Sequence, residues 1–328
     1  KSFAARTINF ITFMVSSFFK GIQVRKVDLV WGTSPPIFQA ASAWLLARLK
    51  RVPYLLEVRD LWPAFAIEVG VLKNPLLISL SLWLEKFLYR HADLVVVNSP
   101  GYIDHVRNKG AKKVKLIPNG SDIHLFRTLD KGKAFRKKYG IEEKFIVTYA
   151  GAHGMSNDLG VVLDAAKILS GHTKIHFILV GDGKEKPGLI ETAKKLRLTN
   201  LTFMDPVAKK QMAEVFSASD ACLAILKPLE LYKTTYPNKV FDYMAAGKPV
   251  LLAIDGVIRK VVEEAGCGIF IQPGDALDMS KKVLWLSHHP KEAKLMGEAG
   301  RNQIIHRFDR AKLAEQFIGV FQELIKNG

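Results

Sequence analysis

The sequence predicts an α/β protein with two domains, each containing a parallel β-sheet covered by helices on both faces. Runs rich in Val, Ile and Leu alternate with helical patterns along the 328 residues, as is typical of such sheets. The alternation occurs in two series, separated by a charged and weakly patterned stretch at residues 128–139. A chain of this length can bury two hydrophobic cores, so the two series are expected to form separate domains.

The strands are predicted from short apolar runs, and the helices from the segments between them. The first series has runs at Asp28–Gly32, Pro53–Val58, Asp93–Asn98 and Val114–Pro118. The second has runs at Phe145–Ala150, Lys174–Gly181, Leu201–Met204, Ala221–Leu226, Pro249–Ile254 and Gly268–Ile271. Helices are predicted at Leu159–Ser170, Lys186–Leu196, Lys209–Ser217, Asn238–Ala246 and Ala311–Asn327. The domains are therefore expected at residues 1–128 and 129–310, followed by a C-terminal helix at 311–328.

The composition is that of a globular protein with an excess of positive charge. Hydrophobic residues make up 48% of the chain and charged residues 24%, which argues against disorder. The formal net charge is +17, a value that suits phosphates, nucleic acid or an anionic lipid surface. Residues 1–128 contain 18 Lys and Arg against 8 Asp and Glu, net +10. No base-stacking motif accompanies these cations, so nucleic acid is not expected as a partner.

Several sites are excluded by what the sequence lacks. It has no Asp-x-Asp pair for a divalent metal, no P-loop, no Gly-x-Gly-x-x-Gly opening a first βαβ unit and no Gly-x-Ser-x-Gly elbow. Cys222 and Cys267 lie in apolar, strand-like surroundings, so both are predicted to be reduced core residues. Neither a metal nor a cofactor is expected.

Two apolar stretches of the first domain are bordered by basic residues. Ile8–Phe19 and Leu76–Leu84 are shorter than the roughly 18 apolar residues that cross a membrane. The first stretch suits a helix lying in a membrane interface, and the alternative is a helix packed on its own sheet.

Two glycine-containing turns follow strands of the second series. They are Tyr149-Ala-Gly-Ala-His-Gly154 and Val180-Gly-Asp-Gly-Lys184. Glycines permit close approach of the backbone to a ligand, and ligands of open α/β sheets lie at the carboxyl ends of strands. Ordinary turns with a solvated lysine are the alternative. The candidate ligand-binding residues are Gly151, His153, Gly154, Gly181, Gly183 and Lys184.

The strongest pattern is Tyr236-Pro-Asn-Lys-Val-Phe-Asp-Tyr-Met-Ala-Ala-Gly-Lys-Pro-Val250. Pro237 is suited to opening a helix, and Asn238 and Lys239 then lie in its first turn, where amides and a cation bind a diphosphate. Asp242 follows one turn later on the same face, where a carboxylate accepts hydrogen bonds from a ribose diol. A surface helix with solvated Lys and Asp is the alternative.

Charged residues also follow a strand of the first series, in Glu57-Val-Arg-Asp-Leu-Trp-Pro63. Arg59 and Asp60 are expected at the carboxyl end of that strand, with Glu68 a little beyond. Catalytic groups gather at such strand ends, and a structural ion pair is the alternative reading.

Together these residues resemble the family 4 glycosyltransferases of the GT-B fold. The matching motifs occur in order over nearly the whole chain: Thr-Ser-Pro-Pro (33–36), Glu-Val-Arg-Asp-Leu-Trp-Pro (57–63), Ile-Pro-Asn-Gly-Ser-Asp (117–122), Tyr-Ala-Gly-x-His-Gly (149–154), Gly-Asp-Gly (181–183) and the pattern at 237–249. The series is most similar to the fucosaminyltransferase-like enzymes of bacterial O-antigen and capsule assembly.

The resemblance implies two Rossmann-like domains facing a cleft, with the acceptor on the first and the nucleotide sugar on the second. It implies a cytoplasmic, metal-independent, retaining enzyme that is peripheral at the inner membrane face. The donor is expected to be a UDP-sugar, with an N-acetylated deoxy or amino sugar as the candidate, and the acceptor a lipid-linked saccharide. Lys239 is expected on the diphosphate, Asp242 on the ribose, and Arg59, Asp60 and Glu68 in catalysis.

The chain departs from the family pattern in three places. The first of two acids that relatives place eight residues apart falls on Thr234, and their phosphate-binding cations fall on Ala152 and on neutral residues such as Asn157. Relatives have at least one βαβ unit before the motif at Thr33, so the first domain is expected to be incomplete. A UDP-sugar 2-epimerase of the same fold and an inactive nucleotide-binding scaffold or fragment remain alternatives.

Overall fold

The chain folds into two compact α/β units. The computed structural model describes residues 3–126 and 131–327. Unit 1 comprises the chain up to Pro118 together with the segment from Lys312 onward, and unit 2 comprises Asn119–Ala311. All ten predicted strands are present within two residues of their expected ends, because each is a short apolar run that pairs in a parallel sheet.

The strands are β1 (Val30–Ser34), β2 (Tyr54–Val58), β3 (Leu94–Val97), β4 (Val114–Leu116), β5 (Phe145–Ala150), β6 (Ile175–Val180), β7 (Leu201–Met204), β8 (Ala221–Ile225), β9 (Val250–Ala253) and β10 (Gly268–Phe270). The helices are α1 (Phe3–Gln23), α2 (Ile37–Lys50), α3 (Ala64–Glu68), α4 (Pro75–His91), α5 (Ile103–Asn108), α6 (Lys131–Tyr139), α7 (Leu159–Ile168), α8 (Lys186–Lys195), α9 (Lys209–Ala218), α10 (Asn238–Ala245), α11 (Val257–Glu264), α12 (Ala276–His288), α13 (Pro290–Gln303) and α14 (Arg310–Asn327).

Unit 1 contains a parallel sheet in the order β1-β2-β3-β4. Leu56 pairs with Gly32 on one side and with Val95 on the other, so the central strand is held on both edges. One face of this sheet is covered by α14, whose Val320 packs with strand residues such as Leu55. The C-terminal helix is therefore part of the unit 1 core.

Unit 2 contains a parallel sheet in the order β10-β9-β8-β5-β6-β7. From β5 the chain adds β6 and β7 on one side and then returns to add β8, β9 and β10 on the other. The strand order thus reverses at β5, and this reversal is where open α/β sheets leave a crevice at their carboxyl ends. Buried clusters line both faces of the sheet.

The charged stretch predicted to separate the two domains is partly helical. Residues 131–139 of the predicted boundary stretch form α6. The predicted boundary between residues 128 and 129 lies outside the described residues, and the two units divide instead between Pro118 and Asn119. Phe135 packs against the unit 2 core, and Arg136 donates to Asp220 at 2.7 Å and to the Ala218 carbonyl at 3.0 Å. These contacts stabilise a segment whose own hydrophobic pattern is weak.

The two cysteines are buried in unit 2 and form no disulfide, as predicted. Burial raises the pKa of each thiol to about 12, so both are inert, protonated core residues. Among the described residues, no helix is long and apolar enough to span a bilayer.

We expect that Val320→Ala lowers the free energy of unfolding by about 1.5–2.5 kcal/mol, because two methyl groups leave a closed core. Val320 is 0% exposed, whereas Ile318 on the same helix is 53% exposed. The matched variant Ile318→Ala should change stability by about 0.5 kcal/mol or less. Urea unfolding followed by circular dichroism measures both, and equal losses would contradict the packing of α14 on the sheet.

Candidate functional site

Most of the predicted binding residues meet at the carboxyl edge of the unit 2 sheet. The turn after β5 contains Gly151, His153 and Gly154, and the turn after β6 contains Gly181 and Gly183. The amino-terminal turn of α10 contributes Lys239. These elements converge because parallel neighbours end at the same edge of a sheet.

Lys239 provides a half-buried ammonium group with neutral partners. Its Nζ donates to the Tyr149 hydroxyl at 2.9 Å and to Asn157 Oδ1 at 3.1 Å, and it lies 4.2 Å from the centroid of the Tyr149 ring. Within residues 3–126 and 131–327, no carboxylate pairs with it. Desolvation lowers the pKa of Lys239 to about 7. The group is therefore placed to gain an anionic partner.

The two glycine turns pack backbone against backbone. A Cβ on Gly181 would lie 1.9 Å from the Gly151 carbonyl oxygen, and one on Gly183 would lie 2.4 Å from that of His153. A Cβ on Gly151 would lie 3.0 Å from Lys239 Nζ. Gly181 and Gly183 are thus required by the contact between the turns, and Gly151 leaves room for the ammonium. A Cβ on Gly154 would make an ordinary contact with Asn157 Nδ2 at 3.9 Å.

His153 is buried between these turns. Its backbone N–H donates to the Asp182 carbonyl at 2.8 Å, which joins the first turn to the second. Neither ring nitrogen makes a hydrogen bond of normal geometry with the described residues. Burial, reinforced by the charge of Lys186, lowers the pKa of His153 to about 4. The imidazole is therefore neutral at physiological pH, and its two ring nitrogens are buried away from solvent.

Asp242 is tied to a residue far away in the chain. Ser121 Oγ donates to Asp242 Oδ1 at 2.6 Å, and the Ser121 backbone is itself bonded to Phe308 and Arg310. The bond orients the carboxylate and leaves its second oxygen available for a further hydrogen bond. Ser121 belonged to a recognised motif, but no sequence signal linked it to Asp242.

The other predicted binding residues lie near the surface. Asn238 and Lys184 are exposed, and Pro237 caps α10 without a side-chain hydrogen bond. The buried cation behind the second turn is instead Lys186, which donates to the Gly181 carbonyl at 2.9 Å and to Asp205 at 2.7 Å. In the sequence, Lys186 directly precedes a proline at the start of a helix, and this position could have identified it.

In unit 1, Arg59 and Asp60 follow β2 as predicted. The Arg59 N–H donates to Ser34 at 2.8 Å and its carbonyl accepts from Asn98 Nδ2 at 3.0 Å, so its backbone is held between neighbouring strand ends. Desolvation raises the pKa of the Asp60 carboxyl, and the Arg59 charge opposes the rise, although Asp60 keeps contact with solvent. Glu68 ends α3 and is exposed. The catalytic roles of these three residues stay predictions.

Comparison with known protein families identifies two regions of the chain. Residues 132–303, more than half of the chain, match the family described as glycosyl transferases group 1. Residues 10–120 match the family described as glycosyl transferase 4-like domain. The two regions correspond to the two series of strands and helices.

Known relatives are distant in sequence. The chain is 22% identical over 247 residues to N-acetyl-alpha-D-glucosaminyl L-malate synthase of Bacillus anthracis, covering 74% of this chain and 62% of that protein. It is 22% identical over 293 residues to N,N'-diacetylbacillosaminyl-diphospho-undecaprenol alpha-1,3-N-acetylgalactosaminyltransferase of Campylobacter jejuni, covering 86% and 74%. The chain spans 62%, 61% and 54% of the length of three curated relatives that it matches.

The fold is shared with solved structures. The crystal structure of Anabaena Alr3699/HepE in complex with UDP superposes with a TM-score of 0.80 at 18% identity, covering 95% of this chain and 82% of that chain. This likeness confirms the predicted fold class, two Rossmann-like α/β regions of the GT-B type.

We expect that Gly181→Ala lowers the free energy of unfolding by about 2–4 kcal/mol, because the new Cβ overlaps the Gly151 carbonyl and the residue has a φ of +145°. Gly188→Ala is the matched control, since its Cβ would meet open space on α8. That variant should raise stability by about 0.5–1 kcal/mol. Denaturant titration of both proteins measures the difference, and equal stability would refute the proposed contact between the turns.

Proposed function

Because the chain belongs to the glycosyl transferases group 1 family, we propose that it transfers a sugar from a UDP-sugar to an acceptor. The observation that carries the proposal is the half-buried ammonium of Lys239, which has neutral partners at the carboxyl edge of the unit 2 sheet. A diphosphate would supply the missing counter-charge at the start of α10, where free backbone amides also favour an anion.

The neighbouring groups fit the remainder of a nucleotide sugar. Asp242 lies one helical turn beyond Asn238, and its Ser121-oriented carboxylate can accept from a ribose hydroxyl. His153 supports the site through its backbone, because its N–H donates to the Asp182 carbonyl and joins the two glycine turns beside Lys239. The structure of Anabaena Alr3699/HepE in complex with UDP supports the choice of uridine.

The transfer is proposed to proceed with retention and without a protein nucleophile. In this scheme the leaving diphosphate accepts the proton of the acceptor hydroxyl on the same face of the sugar. Lys239 stabilises the charge that develops on that diphosphate, and Arg59, Asp60 and Glu68 are the proposed catalytic residues of the acceptor-binding domain.

The proposed acceptor is a lipid-linked saccharide, and the proposed sugar is an N-acetylated deoxy or amino hexose of the fucosaminyl type used in surface polysaccharides. The Campylobacter jejuni relative, by its name, acts on a diphospho-undecaprenol-linked sugar. The ordered motifs at 57–63 and 237–249 support the same class of reaction.

We predict that UDP binding takes up a proton above pH 7. Desolvation holds the pKa of Lys239 at about 7 in the free protein, and a bound diphosphate raises it again. Affinity should therefore be full below pH 7 and fall by up to about tenfold per pH unit above it, until the pKa of the complex is reached. Calorimetry at pH 7.5–9, in buffers of different ionisation enthalpy, measures the affinity and the proton count.

Two variants test the assignment of this proton. Lys239→Met should bind UDP more weakly and show no proton uptake, because the titrating group is gone. Lys194→Met removes an exposed lysine of α8 and should leave both quantities unchanged. Proton uptake that persists in Lys239→Met would assign it to another group, and no UDP binding by the unaltered chain would refute the proposed donor site.

Metal independence is the next expected property. The sequence has no Asp-x-Asp pair, and the proposed diphosphate site uses a lysine and helix amides. UDP-sugar turnover should therefore persist in excess EDTA. A loss of activity that Mn²⁺ or Mg²⁺ restores would contradict this part of the proposal.

Unit 1 is proposed to dock peripherally on anionic membranes. On α4, Leu76, Leu80 and Trp83 follow helical spacing and are exposed, and residues 1–128 have a net charge of +10. The predicted stretch Ile8–Phe19 lies within α1, where Phe13 and Phe19 are also exposed. Apolar side chains next to cations suit an interface with anionic lipid.

Vesicle flotation tests the docking. The chain should float with anionic vesicles at low salt, and less so with neutral vesicles or at high salt, because screening weakens the attraction. Leu76→Ser should reduce flotation, whereas Leu295→Ser on α13 should not, although the two leucines are 68% and 64% exposed. Equal recovery in the soluble fraction under all conditions would remove the membrane from the proposal.

A further inference from the structure

A second basic site lies at the other edge of the unit 1 sheet. Pro53, Asp93 and the pair Lys112–Lys113 directly precede β2, β3 and β4, and they line a cavity of about 530 Å³. Arg59 and Asp60 follow β2 instead. Strands of a parallel sheet share their direction, so the cavity lies at the amino ends, on the edge opposite these predicted catalytic residues.

The cavity holds an excess of positive charge. Its cationic side chains are Arg48, Arg51, Arg90, Lys112 and Lys113. Asp93 is the single acid among the lining residues described, and its carboxylate accepts from the Tyr54 N–H at 2.8 Å. None of the five cations pairs with a carboxylate of the described part of the chain. Like charges placed together without counter-ions repel one another, and a bound anion would relieve this.

Two of the arginine side chains lie close to neighbouring backbone at the cavity. Gly110 has a φ of +100°, and a Cβ there would meet the Arg90 side chain at 2.6 Å, so the glycine leaves room for Arg90 against the loop before β4. Arg48 donates to the His91 carbonyl at 3.4 Å. Arg48 and Arg90 lie in the last turns of α2 and α4, where cations complement the helix dipoles. Lys112 and Lys113 lie on neither helix, so the helix dipoles do not explain their presence.

An apolar path leads away from this charge along α4. His91 lines the cavity, its ring lies 4.2 Å from that of Phe87, and Phe87 stacks on Trp83 at 5.5 Å. Trp83 is exposed to solvent. A phosphate group with an attached hydrocarbon would find complementary partners at both ends of this path.

We propose that this cavity binds a multiply charged phosphate, either the phosphate headgroup of a lipid or a free diphosphate. The site is separate from the proposed donor site, which lies in unit 2, and it takes no part in the sugar transfer. Its occupant anchors or regulates unit 1 through charge-assisted hydrogen bonds to the cations described above.

Calorimetry with inorganic pyrophosphate tests the site, using the full chain and an excess of UDP to occupy the donor site. The variant Arg51→Gln with Lys112→Gln and Lys113→Gln should lose at least about tenfold in pyrophosphate affinity, given the usual contribution of each cation to phosphate binding. All three side chains are exposed, and thermal unfolding verifies that the variant is folded. If the proposed donor site does not bind UDP, the same comparison can be repeated on the Lys239→Met background. The test of the cavity therefore does not depend on the donor site.

The matched control changes net charge equally at exposed positions outside the cavity, with Arg25→Gln, Lys73→Gln and Arg107→Gln. It should bind pyrophosphate as the unaltered chain does. Equal loss in both triple variants would overturn the proposal by showing a general charge effect, and so would the absence of pyrophosphate binding by the unaltered chain.

Vesicles separate the two sources of phosphate. If the ligand is a lipid headgroup, vesicles containing phosphatidic acid should bind the unaltered chain and the control more strongly than the cavity variant, and pyrophosphate should compete. Pyrophosphate binding without any cavity-dependent vesicle binding would support the free anion as ligand. Vesicle binding that is identical in the two triple variants would refute the lipid headgroup as the ligand.

Discussion

The ammonium of Lys239 is the group around which the unit 2 site is arranged. It is removed from much of its water and has a hydroxyl and an amide oxygen, rather than a carboxylate, as partners. Burying a cation without a carboxylate partner costs free energy, and this cost lowers the pKa of Lys239. A diphosphate at the start of α10 would offset it, which gives the site both its ligand preference and its sensitivity to pH.

The backbone around Lys239 leaves room for its ammonium group. Gly151 omits the side chain that would press on Nζ, and the turn containing it is supported by close contact with Gly181 and Gly183. Tyr149, which bonds the ammonium, also donates to the Ala152 carbonyl at 2.7 Å within the same turn. The glycines therefore shape the crevice through contacts within the protein, and their direct approach to a ligand remains a prediction.

Because the strands of each sheet are parallel, each sheet has a carboxyl edge and an amino edge, and different functional side chains lie at the two edges. In unit 2 the carboxyl edge gathers Lys239, His153 and the glycine turns. In unit 1 the carboxyl edge carries Arg59 and Asp60, whereas uncompensated cations such as Lys112 and Lys113 collect at the amino edge. A cluster of five cations from residues 1–128 thus lies at the edge opposite the predicted catalytic residues.

The sequence by itself determined the ten strands, their parallel arrangement and the opening of α10 with Lys239 in its first turn, because apolar runs and turn residues act locally. It left α6 unrecognised, since that helix is stabilised mainly by Phe135 and Arg136 against distant parts of unit 2. Only the tertiary structure decided which groups surround the candidate site. Asn157 and Lys239 are 82 residues apart, and Ser121 and Asp242 are 121 apart. Such pairs meet only after the crossover connections have ordered the strands, so no local pattern encodes them.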